Sequence, residues 1–157
     1  MLPIKGLSKR VSVSGSLSAA DFAVVKGLGF DKVINFRPDN EAPGQLSDAE
    51  ARSAAQSLGF QYVHIPVTKQ GLFTEEVVCR ATYELASEGR VLGYCASGLR
   101  AAIVWAAATA RTTPVDEIMS SLHNAGFELA FLRDDLEAQS DRVRWPNNDV
   151  AACSVTI

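Results

Sequence analysis

Apolar and polar positions alternate along this chain with two different periods, and the switches between them mark its elements. "RVSVSG" (10–15) alternates every second residue and stops at a glycine, the pattern of a short strand. "DKVINF" (31–36), "FQYVHIPV" (60–67) and "RVLGYC" (90–95) are rich in β-branched and aromatic residues and predict three further strands. Helical signals fall between them. Ser18 with Asp21 opens a helix through Val25 that closes at Gly27 or Gly29. Ser47 with Glu50 opens a second over "DAEARSAAQSL", with Gly59 past its end. Thr74, followed by Glu75 and Glu76, caps a third that ends near Gly89.

After the fourth strand a helix is expected from about Arg100 to Arg111, apolar on nearly every side and therefore buried. Thr113 as cap with Pro114 at the first helical position begins the next, whose stripe of Val115, Ile118, Met119 and Leu122 faces the core until Gly126. "FELAFLRDDLEAQ" (127–139) predicts a last helix, and Trp145 is expected to dock a tail that lacks any period. Strands alternating with helices imply an α/β fold, with a mostly parallel central sheet flanked by helices. A single domain over 1–157 is expected, with a core at about 4–140 and a tail at 141–157. Ligands of such sheets bind beyond the carboxyl ends of the strands, where the irregular stretches 37–46, 68–73 and 95–100 should gather.

Composition narrows the function classes. The 157 residues are 47% hydrophobic, enough for one full core, and the net charge of −3 argues against a dedicated nucleic-acid or anionic-membrane binder. No apolar stretch reaches the roughly 18 residues of a spanning helix. Met1–Arg10 has no signal-peptide apolar core, so a cytoplasmic location is expected. Three cysteines (Cys79, Cys95, Cys153) and two histidines (His64, His123) show no metal-ligand spacing, and neither a metal nor another cofactor is expected.

The candidate chemistry lies in "GYCASGLRAA" (93–102), where Cys95 ends a strand and Arg100 follows just inside a helix. A thiol at a helix N-terminus faces free backbone N–H groups and the positive end of the dipole, both of which favour thiolate. Gly98 lets the loop curl into an anion-binding nest, and Arg100 adds a fork for two oxygens of an oxyanion. A nucleophile aimed at an anion held in this way suits covalent phosphoryl or sulfur transfer. Arg37, Asp39 and Glu41 leave the second strand at the same edge. They are read as a turn that clamps the catalytic loop, with Asp39 or Glu41 as the alternative source of a proton. His64 is read as a satisfied, half-buried imidazole and His123 as a surface residue.

"CASGLR" resembles the active-site loop of cysteine-dependent phosphatases and rhodanese-like sulfurtransferases. More widely, "SVSGSLSAADF", "GFDKVINFRPDNEAPGQ", "LGFQYVHIPV" and "YCASGLRAA" occur in the order found in the beta-lactamase-hydrolase-like, phosphatase-like domain family, over about residues 4–135. The resemblance implies a protein-tyrosine-phosphatase-like fold, with Cys95 as nucleophile, Arg100 as oxyanion clamp and loop amides from Ala96, Ser97, Gly98 and Leu99. Arg37 and Asp39 are further substrate-binding candidates.

Four residues separate Cys95 from Arg100, where most tyrosine phosphatases carry five; four is also the rhodanese length. Tyr94 stands where those phosphatases carry histidine, Ala101 where they carry a hydroxyl residue, and "VTKQGLF" (67–73) holds no aspartate to act as general acid. The expected activity is a phosphatase acting through a phospho-cysteine, on a phosphorylated protein or a small phosphate ester. The alternatives are a sulfurtransferase that takes a persulfide from a sulfur donor, and an oxyanion-binding module without turnover.

Overall fold

The computed structural model describes residues 2–144. Its sheet has five strands, β1 (Ile4–Gly6), β2 (Val11–Ser14), β3 (Lys32–Asn35), β4 (Gln61–His64) and β5 (Val91–Tyr94), in the spatial order β1-β2-β5-β3-β4. The last four in that order run parallel, and β1 alone is antiparallel, placing Ile4 opposite Ser14. The mostly parallel α/β sheet expected from the sequence is therefore the one observed. β5, which leads into the Cys95 loop, lies at its centre.

Among the described residues, six α-helices cover the two faces: α1 (Ala19–Gly27), α2 (Asp48–Ser57), α3 (Glu75–Leu85), α4 (Leu99–Thr109), α5 (Val115–Asn124) and α6 (Arg133–Arg144). Both predicted capping boxes form: Ser18 and Asp21 exchange hydrogen bonds at α1, and Ser47 and Glu50 do so at α2. Phe22, Val25, Val33, Ala51, Ala55 and Tyr94 close a core under α1 and α2. On the opposite face α4 is buried along its length, from Ala101 to Ala108, and packs against α3, α5 and α6. Gly93 permits this close layering, since a Cβ there would lie 2.9 Å from Cε2 of Phe36. Lys32, almost fully buried, crosses to the end of α3, where its ammonium meets the Glu84 carboxylate and backbone carbonyl and the Ser87 hydroxyl.

Two expectations are corrected, and one strand is added. β1 lies in a stretch for which the sequence pattern predicts no element. It is three residues long and is held by pairing with β2 rather than by any local alternation. The last helix starts later than expected: 127–129 is irregular, and Ala130–Leu132 form a 3₁₀ turn that leads into it. Phe127, Leu129 and Leu132 are all buried, a spacing that straps the chain across the core, and α6 begins only at Arg133 with Asp134 and Asp135 in its first turn. Pro114 precedes α5 instead of opening it: its ψ of 138° is extended, and the Thr113 N–H is still bonded to the Thr109 carbonyl at the end of α4. The expected docking of Trp145 lies outside the described residues, as does Cys153.

Candidate active site

Because β2 and β5 are parallel, their carboxyl ends deliver Ser14–Ser16 and Cys95 to the same edge. Cys95 is fully buried at the end of β5, and its N–H donates to the Ser14 carbonyl at 3.4 Å. The chain then turns at Gly98, whose φ of +94° is the left-handed conformation that glycine adopts without penalty. A Cβ at that position would stand 3.3 Å from the carbonyl carbon and oxygen of Ser14, so space also favours glycine. The turn points the Gly98 N–H at Sγ of Cys95, 3.2 Å away, and starts α4 one residue later. The sulfur therefore receives a backbone hydrogen bond at the N-terminus of a helix. Ala96 and Ser97 are exposed on the outer side of the loop, where the Ser16 N–H holds the Ala96 carbonyl at 3.2 Å and Ser97 Oγ accepts from the Leu99 N–H at 3.4 Å.

Arg100 occupies the second position of α4. Its Nη1 and Nη2 each donate to one oxygen of Glu41 at 2.7 Å, and Nη1 also donates to the Val67 carbonyl at 2.8 Å. Glu41 accepts a third bond from Nε of Arg37 at 3.0 Å, and Nη1 of Arg37 reaches Ser16 Oγ at 3.2 Å. The loop that returns Glu41 to this position bends at Asn40, whose φ is +65°. The Arg100 hydrogen bonds hold the Glu41 carboxyl at about 2, well below its ordinary value. The guanidinium of Arg100 is pushed up in turn, chiefly by Glu41 and also by the nearby Cys95 sulfur. Glu41 thus braces Arg100 and carries no proton to donate near neutral pH.

A second layer of side chains fixes the backbone of Arg37. Asn35 Oδ1 accepts its N–H at 2.9 Å, and His64 Nε2 donates to its carbonyl at 2.8 Å. Asn35 also donates to the Tyr62 hydroxyl, which donates to Asp48 at 2.8 Å, and His64 Nδ1 lies 3.4 Å from the other Asp48 oxygen. Burial raises the phenol pKa of both Tyr62 and Tyr94, so both rings stay neutral.

Of the residues singled out in the sequence, the fold brings Cys95, Ala96–Leu99, Arg100, Arg37 and Glu41 together. Asp39 is directed elsewhere: its Oδ1 accepts the Asp48 N–H at 2.8 Å, at the first turn of α2. The 68–73 stretch forms a 3₁₀ turn over Lys69–Gly71 in which Lys69 and Gln70 are exposed. His64 is the satisfied imidazole expected, and His123 is 70% exposed beside Glu128. Sequence reasoning did not find Ser16, the Val67 carbonyl or the Asn35–Tyr62–Asp48 connection. Each acts through a contact between distant segments, and only the strand-end position of Ser16 could have pointed to it.

Comparison with known proteins places this geometry. Residues 4–112 match the sequence profile of the phosphatase-like domain of the beta-lactamase hydrolase-like protein. A beta-lactamase hydrolase-like protein of Agrobacterium fabrum is 30% identical over 139 residues, which are 87% of this chain and 32% of that protein. A Xylella fastidiosa protein of the same description is 28% identical over 82% of this chain and 30% of its own length. The chain therefore spans about a third of the length of these curated relatives. Among solved structures, a candidate phosphatase of Neisseria meningitidis superposes with a TM-score of 0.74 at 29% identity, covering 88% of this chain and 99% of that one. Kinase-associated phosphatase, at 16% identity, shares the fold with a TM-score of 0.70 over 92% of this chain and 96% of its own. The fold is thus the protein-tyrosine-phosphatase-like one that "INFRPDNE" and "CASGLR" implied, and the chain belongs to the phosphatase-like domain family of the beta-lactamase hydrolase-like proteins.

Proposed function

We propose that this domain hydrolyses phosphate monoesters through a phospho-cysteine on Cys95. The observation that carries the reading is the joint placement of the sulfur under the Gly98 N–H and of Arg100, braced by Glu41, beside it. In this scheme the amides of the 96–99 loop and the Arg100 guanidinium hold the non-bridging oxygens. Sγ attacks phosphorus in line with the ester oxygen. The S–P bond forms as the P–O bond breaks, and the ester oxygen departs with the electron pair as a phenolate or alkoxide that takes its proton from water. Water then attacks phosphorus, the S–P bond breaks and phosphate leaves. Because Glu41 is ionised and paired, the leaving group receives no proton from it. No metal or other cofactor takes part in the scheme. The substrate class is a phosphorylated protein or a small phosphate ester, and the setting is the cytoplasm. Among the described residues, no helix is long and apolar enough to cross a membrane.

A second reading has its own support. Four residues between Cys95 and Arg100 is the spacing of the sulfurtransferase loop, and no general acid is needed to pass a sulfane sulfur to a thiolate. Mass spectrometry of Cys95 after exposure to an aryl phosphate and, separately, to thiosulfate distinguishes the two. The expected adduct adds about 80 mass units for phosphoryl, against about 32 for sulfur, by group formula. A sulfur adduct alone, together with thiosulfate-to-cyanide transfer, would overturn the phosphatase reading. Anion binding without either adduct would leave the oxyanion-binding module.

A further inference from the structure

Two cavities open beside the catalytic edge, and their linings have opposite character. One of about 490 Å³ lies between α1 and the 44–46 loop and carries the carboxylates of Asp21 and Glu50. The other, of about 410 Å³, is bounded by Pro3, Lys5, Ser14, Ser97, Gly98 and Phe127, and no carboxylate lines it. Its position follows from the topology. Antiparallel pairing brings the start of β1 to the carboxyl end of β2, with Ile4 opposite Ser14. Ala96, Ser97 and Gly98 of the loop that follows Cys95 form one wall, and Phe127 follows the end of α5.

Lys5 is placed in this cavity by contacts of its own. Its Nζ lies 4.7 Å from the centroid of the Phe127 ring, a cation–π geometry. The same Nζ would stand 3.6 Å from a Cβ on Gly126, just past the C-terminus of α5, where the helix dipole favours a cation. On a chain of net charge −3, this is an exposed positive charge on the same cavity as the loop that is read as holding a phosphate.

We propose that the cavity is a second anion subsite, in which Lys5 selects phosphate esters that carry a further negatively charged group. The inference rests on the 95–100 loop as the oxyanion site. Once phosphorus is held there, a carboxylate or second phosphate on the same molecule gains the Lys5 charge without a second entropic cost of association. The acidic cavity on the other side repels the same group, so the two cavities together orient the substrate. Lys5 takes no part in the bond changes at Cys95.

The test uses non-hydrolysable compounds, so it does not depend on turnover. Phenylphosphonate and its meta- and para-carboxy derivatives are titrated calorimetrically into the wild-type protein and into Lys5→Ala and Lys5→Arg variants. At least one carboxy compound should bind the wild type about two- to fivefold more tightly than phenylphosphonate, the scale of one solvent-screened ion pair. Lys5→Ala should abolish that advantage while leaving phenylphosphonate affinity unchanged, and Lys5→Arg should retain it. Equal affinities in the wild type, or an advantage that survives Lys5→Ala, would overturn the subsite while the oxyanion loop stands. Failure of every phosphonate to bind would overturn the oxyanion loop itself, and the subsite with it.

Discussion

Three guanidinium hydrogen bonds converge on Glu41, two from Arg100 and one from Arg37, and the energetics of the site turn on that carboxylate. A long side chain such as Arg100 loses rotamer freedom when it waits in one orientation for an anion. Glu41 and the Val67 carbonyl impose that orientation before the anion arrives. Glu41→Gln replaces one acceptor oxygen by an N–H group that faces a donor. Phosphate or sulfate affinity, measured by calorimetry, should fall about tenfold or more, on the scale of a lost hydrogen bond to a charged group. An unchanged affinity would show that Arg100 orients itself. The same contact sets a pH dependence. Since the folded-state value lies at about 2 and the ordinary one at 4.5, the stabilisation is complete above pH 4.5 and is lost as the pH falls through 2. Acid denaturation of Glu41→Gln should therefore lack the part of the wild-type decline that falls between those values.

At the scale of elements, the loop depends on one left-handed residue between β5 and α4. Gly98→Ala places a Cβ in a conformation that costs roughly 1–2 kcal/mol and crowds the Ser14 carbonyl at 3.3 Å. Urea denaturation should show at least that loss. Because the Gly98 N–H would swing away from Sγ, anion binding should weaken beyond what stability alone explains; full binding in a folded variant would argue that the loop tolerates another turn. This turn was legible in the sequence because its signals are local: an apolar run, a glycine, then an apolar helix. Both capping boxes were legible for the same reason, as reciprocal bonds between residues three apart. β1 was not, since Ile4–Gly6 is a strand only by virtue of Ser12–Ser14. The start of the last helix was misplaced because Phe127 and Leu129 are apolar for the sake of a core built by other elements. The clamp was legible in part. Arg37 and Glu41 were placed at the right edge by sheet logic, but the partition of roles between Asp39 and Glu41 depends on α2, whose Asp48 N–H captures Asp39.

At the scale of the whole molecule, three loops meet at the carboxyl edge of the sheet, and their division of labour predicts the kinetics. In the proposed scheme the 95–100 loop supplies nucleophile and donors, and the 37–46 loop supplies the clamp. The 67–73 loop gives Arg100 a carbonyl acceptor and holds no carboxyl group. Without a general acid, an aryl phosphate should turn over far better than an alkyl one, because a phenolate can depart unprotonated whereas an alkoxide needs a proton in the transition state. Such assistance is typically worth about 10²–10⁴-fold. Across a leaving-group series with chemistry rate-limiting, kcat/KM should fall steeply as the leaving-group pKa rises. Asp39→Asn keeps the acceptor oxygen that the Asp48 N–H uses, so the variant should fold and reproduce the wild-type series. A flat wild-type dependence that becomes steep in Asp39→Asn would mean that Asp39 leaves α2 during turnover and donates the proton. A flat dependence in both proteins would point to a donor outside these three loops.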